Sequence, residues 1–120
     1  MRARIVGAAM SALLAATAAV LAATKLEPKE IQATFFTGQA FTASTPSGVK
    51  FKMVFTPDGK VTREPVAKAG TKGEGSWKLT GDGFCTTWKG GKPNCFVILA
   101  SGQNRWSVMK STTIMAVWSK

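Results

Sequence analysis

The chain has 120 residues with 16 Lys and Arg against 6 Asp and Glu, and it contains no histidine and no tyrosine. Without imidazole, general acid–base catalysis would fall to six carboxylates, and the commonest nitrogen ligand of zinc and copper is missing. A formal charge of +10 favours anionic partners such as envelope polysaccharide, lipid headgroups, acidic proteins or nucleic acid.

The N-terminus carries Arg2 and Arg4, followed by the uncharged, Ala/Leu/Val-rich run Ile5–Ala23. A basic start, an apolar stretch and small residues at its end predict an export signal. A membrane anchor is disfavoured because the run is rich in Ala and carries Ser11 and Thr17, whereas a span needs about 20 strongly apolar residues. Val20-Leu21-Ala22 and Leu21-Ala22-Ala23 are both acceptable cleavage sites, so residues 1–23 are assigned to the signal and 24–120 to a single domain. No cysteine follows the run, so no lipid anchor is expected. Without Arg2 and Arg4 the 16 basic residues fall to 14 against 6 acidic ones, a net charge of +8. A domain of this size buries only a modest core.

Leu26–Gly38 predicts a short helix from Pro28 to Phe35. Pro28 suits a first helical position, Glu27 and Glu30 favour the positive helix end, and Gly38 can adopt the left-handed conformation beyond the last turn. Leu26, Ile31, Phe35 and Phe36 would then cover the core. From Gln39 onward the period changes to two. Gln39–Ser44 alternates weakly, and Thr45-Pro46-Ser47-Gly48 is a turn. Val49–Thr56 alternates cleanly, with Val49, Phe51, Met53 and Phe55 on one face. Pro57-Asp58-Gly59 turns the chain into a short strand, Lys60–Glu64. Val66–Glu74, rich in Gly and Lys, reads as a mobile loop. Strands follow at Gly75–Thr80, Gly83–Trp88, Cys95–Leu99, Arg105–Lys110 and Thr113–Trp118. Eight short strands at close spacing predict an all-β fold, a small antiparallel meander forming a β-barrel or twisted sandwich with one N-terminal helix.

Cys85 and Cys95 flank the turn-rich Lys89–Asn94. If the hairpin folds about Gly90, residues whose numbers sum to about 180 face each other, and the two cysteines fit that register. A cross-strand disulfide is expected, since export places the chain where disulfides persist. Closing so short a loop is worth about 3 kcal/mol on the loop-entropy model.

The remaining residues argue against an enzyme. Asp58 and Asp82 lie in Asp-Gly turns, Glu27 and Glu30 at the helix start, and Glu64 and Glu74 beside the loop, with no two on an expected common face. Bridged cysteines remove thiol chemistry and a zinc site, so neither metal nor other cofactor is expected. The glycines Gly70, Gly73 and Gly75, and Gly81 and Gly83, read as turn glycines, because no Gly-Lys-Ser/Thr ending opens a helix after them. Among the tryptophans, Trp77 and Trp106 read as core. Trp88 and Trp118 are candidates for partner contacts, together with Lys89 and Lys92 at the hairpin tip and Lys50 and Lys52 on the exposed face of their strand. Basic residues interleaved with aromatics suit single-stranded nucleic acid, but export argues against that partner.

The strand Gly75-Ser76-Trp77-Lys78-Leu79, the run from Gly81 through Cys85 to Trp88, and the pair Cys95-Phe96 resemble a group of small exported Gram-negative bacterial domains of unknown function. The likeness covers most of Leu26–Lys120 and implies a β fold and periplasmic export. A weaker likeness is to periplasmic inhibitors of secreted metalloproteases, small β-barrels with one disulfide whose cysteines lie farther apart. The expectation is a monomeric, periplasmic or secreted, non-enzymatic binding module, with no membrane span after cleavage. Its partner would be an anionic envelope component or a periplasmic or secreted protein. The alternatives are a protease inhibitor that inserts its N-terminal segment or a loop into a cleft, and a small calyx for an apolar ligand. A barrel interior filled by Phe51, Phe55, Trp77 and Trp106 would exclude the calyx.

Overall fold

The computed structural model describes residues 24–68 and 70–120, so the expected export signal lies outside the described residues. In chain order the elements are β1 (Thr24–Lys25), α1 (Pro28–Phe35), β2 (Phe41–Ser44), β3 (Lys50–Phe55), β4 (Lys60–Pro65) and β5 (Gly73–Leu79). Then come β6 (Phe84–Trp88), β7 (Asn94–Gly102), β8 (Arg105–Lys110) and β9 (Thr113–Ser119). Strands β2 to β9 run up and down, each pairing antiparallel with the next, and β9 returns to β2 through Thr42↔Ser119, Ala43↔Trp118 and Ser44↔Val117. That last ladder closes an eight-stranded barrel and removes its free edges. β1 lies outside the ring, pairing with β7 at Thr24↔Ala100 and Lys25↔Leu99, beyond the point where β6 leaves the same strand edge.

Alternation decides which side chains enter the barrel. On β3 the inward set is Phe51, Met53 and Phe55, and the outward set is Lys50, Lys52 and Val54. The expected register of the cysteine hairpin holds: Phe84↔Phe96, Cys85↔Cys95 and Thr86↔Asn94 face each other. The cysteines are bonded on the outer wall with their Cα atoms 3.9 Å apart, closer than the ~4.5 Å of an ordinary non-hydrogen-bonded pair. The bridge therefore draws β6 and β7 together.

The helix stops one end of the barrel. Its first turn is held by the Glu30 carboxylate, which accepts the Glu27 N–H at 2.9 Å, a capping-box arrangement. Gly38 adopts φ +87° just beyond it and donates its N–H to the Phe55 carbonyl at 2.8 Å, tying the exit of the helix to β3. Ile31, Phe35 and Phe36 are buried. The Phe36 ring stacks on Phe55 at 4.4 Å and meets Trp77 at 4.3 Å, while Phe35 meets Trp106 at 4.8 Å and Trp118 at 4.9 Å. The Trp77 indole keeps a polar partner, donating Nε1–H to the Thr56 carbonyl at 2.8 Å.

Two expectations need correction. β5 starts at Gly73, two residues before the expected strand, so Gly73 and Gly75 are ladder residues opposite Arg63 and Val61 and not part of a loop or turn. Trp118, expected as a surface contact, is only 4% exposed and packs between Phe35, Phe41, Phe55 and Phe84. Pairing opposite Trp106 on β8 sets Trp118 on the inner face, and the second ladder on β9, to β2, closes the barrel around it.

Candidate functional site

The end of the barrel opposite the helix carries the turns 45–49, 66–72, 89–93 and 111–112. Here the inward side chains shrink. Along β2 the sequence passes from Phe41 to Ala43, along β5 from Trp77 to Gly75 and Gly73, along β6 from Phe84 to Thr86, and along β9 from Trp118 to Ala116. The space left is a cavity of about 210 Å³, lined among others by Phe51, Arg63, Thr86, Trp88, Phe96 and Met115. An eight-stranded barrel is just wide enough either to be filled by side chains or to hold one small ligand; this one does the first at the helix end and has room for the second at the other.

Arg63 is the charged side chain of that cavity, which also carries the hydroxyls of Thr45 and Thr86. It lies on β4 in phase with the buried Val61, opposite Met53 on β3 and Gly73 on β5. Its guanidinium carbon sits 4.5 Å from the Trp88 ring centroid and 5.5 Å from that of Phe51, within cation–π range. Gly73 provides the space: a Cβ there would lie 3.0 Å from Arg63 Nε and 3.4 Å from Trp88 Cε3. The side chain is half-buried as a whole, but its Nε is shut off from solvent and has no hydrogen-bond partner among the described residues. A buried donor left unpaired costs about 1–3 kcal/mol, more when charged, so its persistence calls for a reason.

The rim is cationic and apolar together. Lys50, Lys68, Lys72, Lys89, Lys92 and Lys110 belong to strand ends or turns at this end, and all are exposed. Lys110 donates to the Asn94 side chain at 2.9 Å, and the Lys89 N–H reaches the Glu74 carbonyl at 2.9 Å. The large exposed hydrophobic residues, Val66 (64%), Ile114 (47%) and Met115 (42%), are also at this end.

The sequence-derived candidates separate accordingly. Trp88, Lys89, Lys92 and Lys50 do meet around the open end, but Trp88 faces into the barrel mouth and not out from the hairpin tip. Lys52 is exposed on the outer wall, between Thr42 on β2 and Glu64 on β4. Trp118 is excluded by burial. Sequence reading missed Arg63; the available signal was a charged residue in phase with Val61 on an alternating strand.

The carboxylates are dispersed over the surface. Asp82 is 3.6 Å from Lys25 Nζ and accepts from the Thr80 hydroxyl. Asp58 accepts a short hydrogen bond from the Thr56 hydroxyl, which, ahead of the Lys60 charge, holds its carboxyl below the usual value of 3.8. Contrary to expectation, Glu64 and Glu74 do share a face, the outer wall of β4 and β5, where both are exposed beside a shallow depression. No group of three metal-ligating side chains occurs among the described residues, and no helix among them is long and apolar enough to cross a membrane. No family model, curated protein or solved structure matches the chain.

Proposed function

We propose that the protein is an exported, non-enzymatic binding module of the cell envelope whose binding site is the open end of the barrel, and that it takes a small molecule with an apolar body there. The observation that carries this reading is the uneven filling of the interior. Trp77 and Trp106 occupy the helix end, while Phe51 and, at its floor, Phe55 line the cavity of about 210 Å³. An apolar lip of Val66 and Met115 beside a cavity with few polar groups is the usual chemistry of a ligand pocket. The lysines around the lip favour a second, compatible reading, contact with an anionic envelope polymer or protein, whose affinity would fall with added salt. Insertion of the N-terminal segment into a protease cleft draws less support, because Thr24 and Lys25 are paired to β7, Leu26 donates its N–H to the Ile98 carbonyl at 2.9 Å, and its side chain is buried.

The test is a methyl NMR titration of the purified protein with four- to eight-carbon aliphatic and aromatic compounds. Met53 and Met115 line the cavity, and Met109 lies on the outer wall of β8. Selective shifts at Met53 and Met115 with Met109 unmoved support the reading. A panel that moves none of them, or all three alike, overturns it.

A further inference from the structure

Resting on the reading of the open end as a ligand site, we infer that the ligand is a small carboxylate with an apolar body, its carboxylate held by Arg63 and its body in the cavity beneath. The guanidinium has aromatic rings near it, Trp88 at 4.5 Å and Phe51 at 5.5 Å. Its remaining bonding capacity is the planar N–H fork, which matches a carboxylate in two parallel bonds. Nε is buried without a partner, and the one ion pair among the described residues is Lys25 with Asp82, at the far end of the barrel. Glu64 on β4 and Glu74 on β5 lie on the outer wall, where they share a shallow depression with Arg63, but neither makes an ion pair with it among the described residues. Arg63 thus has no ion-pair partner among the described residues, and an incoming anion would supply one.

Size and polarity narrow the class further. A cavity of about 210 Å³ has room for roughly seven water-sized groups at about 30 Å³ each, which suits a six- to eight-carbon chain or one aromatic ring. It is smaller than the ~300–1,000 Å³ of sites that enclose drug-sized molecules. A polymeric anion could reach the lysine rim but not fill the interior. Inorganic phosphate could pair with Arg63 but would leave the walls of Phe51, Phe96 and Met115 without a partner. A neutral alcohol would fill the walls and could accept a single N–H, but it would leave the guanidinium charge without a counter-ion. Of these, only the carboxylate with an apolar body satisfies both, and the lysines at the rim raise its local concentration.

The experiment titrates the purified protein at neutral pH with hexanoate, 1-hexanol and inorganic phosphate in parallel. It reads the Met53 and Met115 methyl shifts and calorimetric affinity, for wild type, Arg63→Gln and Arg63→Lys. The expected result is hexanoate binding tighter than hexanol by roughly tenfold or more, as a charge-assisted bidentate pair implies. Arg63→Gln should bring the two ligands level, and Arg63→Lys should keep part of the preference. Equal binding of hexanol and hexanoate by wild type overturns the carboxylate assignment while leaving the open end as a ligand site. Phosphate binding as tight as hexanoate overturns it too, reducing Arg63 to a simple anion contact. If neither six-carbon compound moves Met53 or Met115, the inference and the reading beneath it both fail. The wild-type comparison stands by itself should an Arg63 variant not fold.

Discussion

The two ends of the barrel are made from the same strands and differ in what the inward positions carry and in the helix that plugs only one of them. Near the helix they are Phe41, Phe55, Trp77, Phe84, Trp106 and Trp118, joined by Phe35 and Phe36 from α1. Two residues along the same strands four of them give way to Ala43, Gly75, Thr86 and Ala116, while β3 and β8 carry Met53 and Val108. Stability is thus concentrated at one end, where aromatic rings lie 4.3–6.0 Å apart. The other end gives up packing, keeps a charged group without a partner, and gains a space. Regions that bind are commonly drawn from the less stable part of a fold, and here the division follows the barrel axis.

Truncating one aromatic residue at each end tests the unequal packing most directly. Phe36→Ala removes a ring 2% exposed and should cost about 3–5 kcal/mol; Phe51→Ala, whose ring already borders a void, should cost less than about half of that. Urea denaturation of both variants measures the difference, and equal losses would mean that the two ends are packed alike.

Next in size is the disulfide. Reducing Cys85–Cys95, or replacing both by alanine, should lower stability by about 3 kcal/mol, since the cysteines are 10 residues apart and the closed loop is short. Thermal melts with and without reductant report it. The bridge lies on the outer wall, so ligand affinity at a temperature where the fold persists should stay within about twofold.

A smaller effect on stability but a large one on binding is expected from Ala116→Leu. Ala116 lines the cavity, so the added side chain enters existing space, and stability should change by less than about 1 kcal/mol. The Met53 and Met115 methyl shifts caused by ligand should disappear. Retained binding in that variant would place the ligand elsewhere.

The smallest effect belongs to the closed end. Asp58, in the β3–β4 turn, has a carboxyl held below 3.8 by the Thr56 hydroxyl. A folded-state value below the unfolded one adds stability that is present above the unfolded value and lost as pH falls through the folded one. Melting temperature followed from about pH 5 to pH 2 should therefore drop less steeply in Asp58→Asn than in wild type. Parallel curves would remove Asp58 from the acid response.

Much of the framework was readable without coordinates because its causes are local. Pro28, Glu30 and Gly38 bound the helix by their own backbone chemistry, and the helix spans Pro28–Phe35 as expected. The alternation of Phe51, Met53 and Phe55 specified an inward face, and the spacing of Cys85 and Cys95 about Gly90 specified a register that the β6–β7 ladder follows. Gly73 was misread as loop, and Gly75, although placed in its strand, as a turn glycine, because glycine has the same local meaning in a turn as at a crowded strand position. Their role depends on a neighbour: a Cβ on Gly75 would collide with the Thr87 carbonyl, and one on Gly73 would press on Arg63.

Residues a few positions apart thus determined the helix, the eight barrel strands, the inward face of β3 and the cross-strand bridge, whereas β1 had no such signal. Only the tertiary structure decided that β9 returns to β2, joining Trp118 to Ala43, and with that closure which tryptophan is core. It likewise decided that Arg63, Trp88 and Phe51, from three different strands, meet at one mouth. The physical reason is that closure and cavity shape arise from contacts between residues far apart in the chain, and no local period or turn signal carries that information.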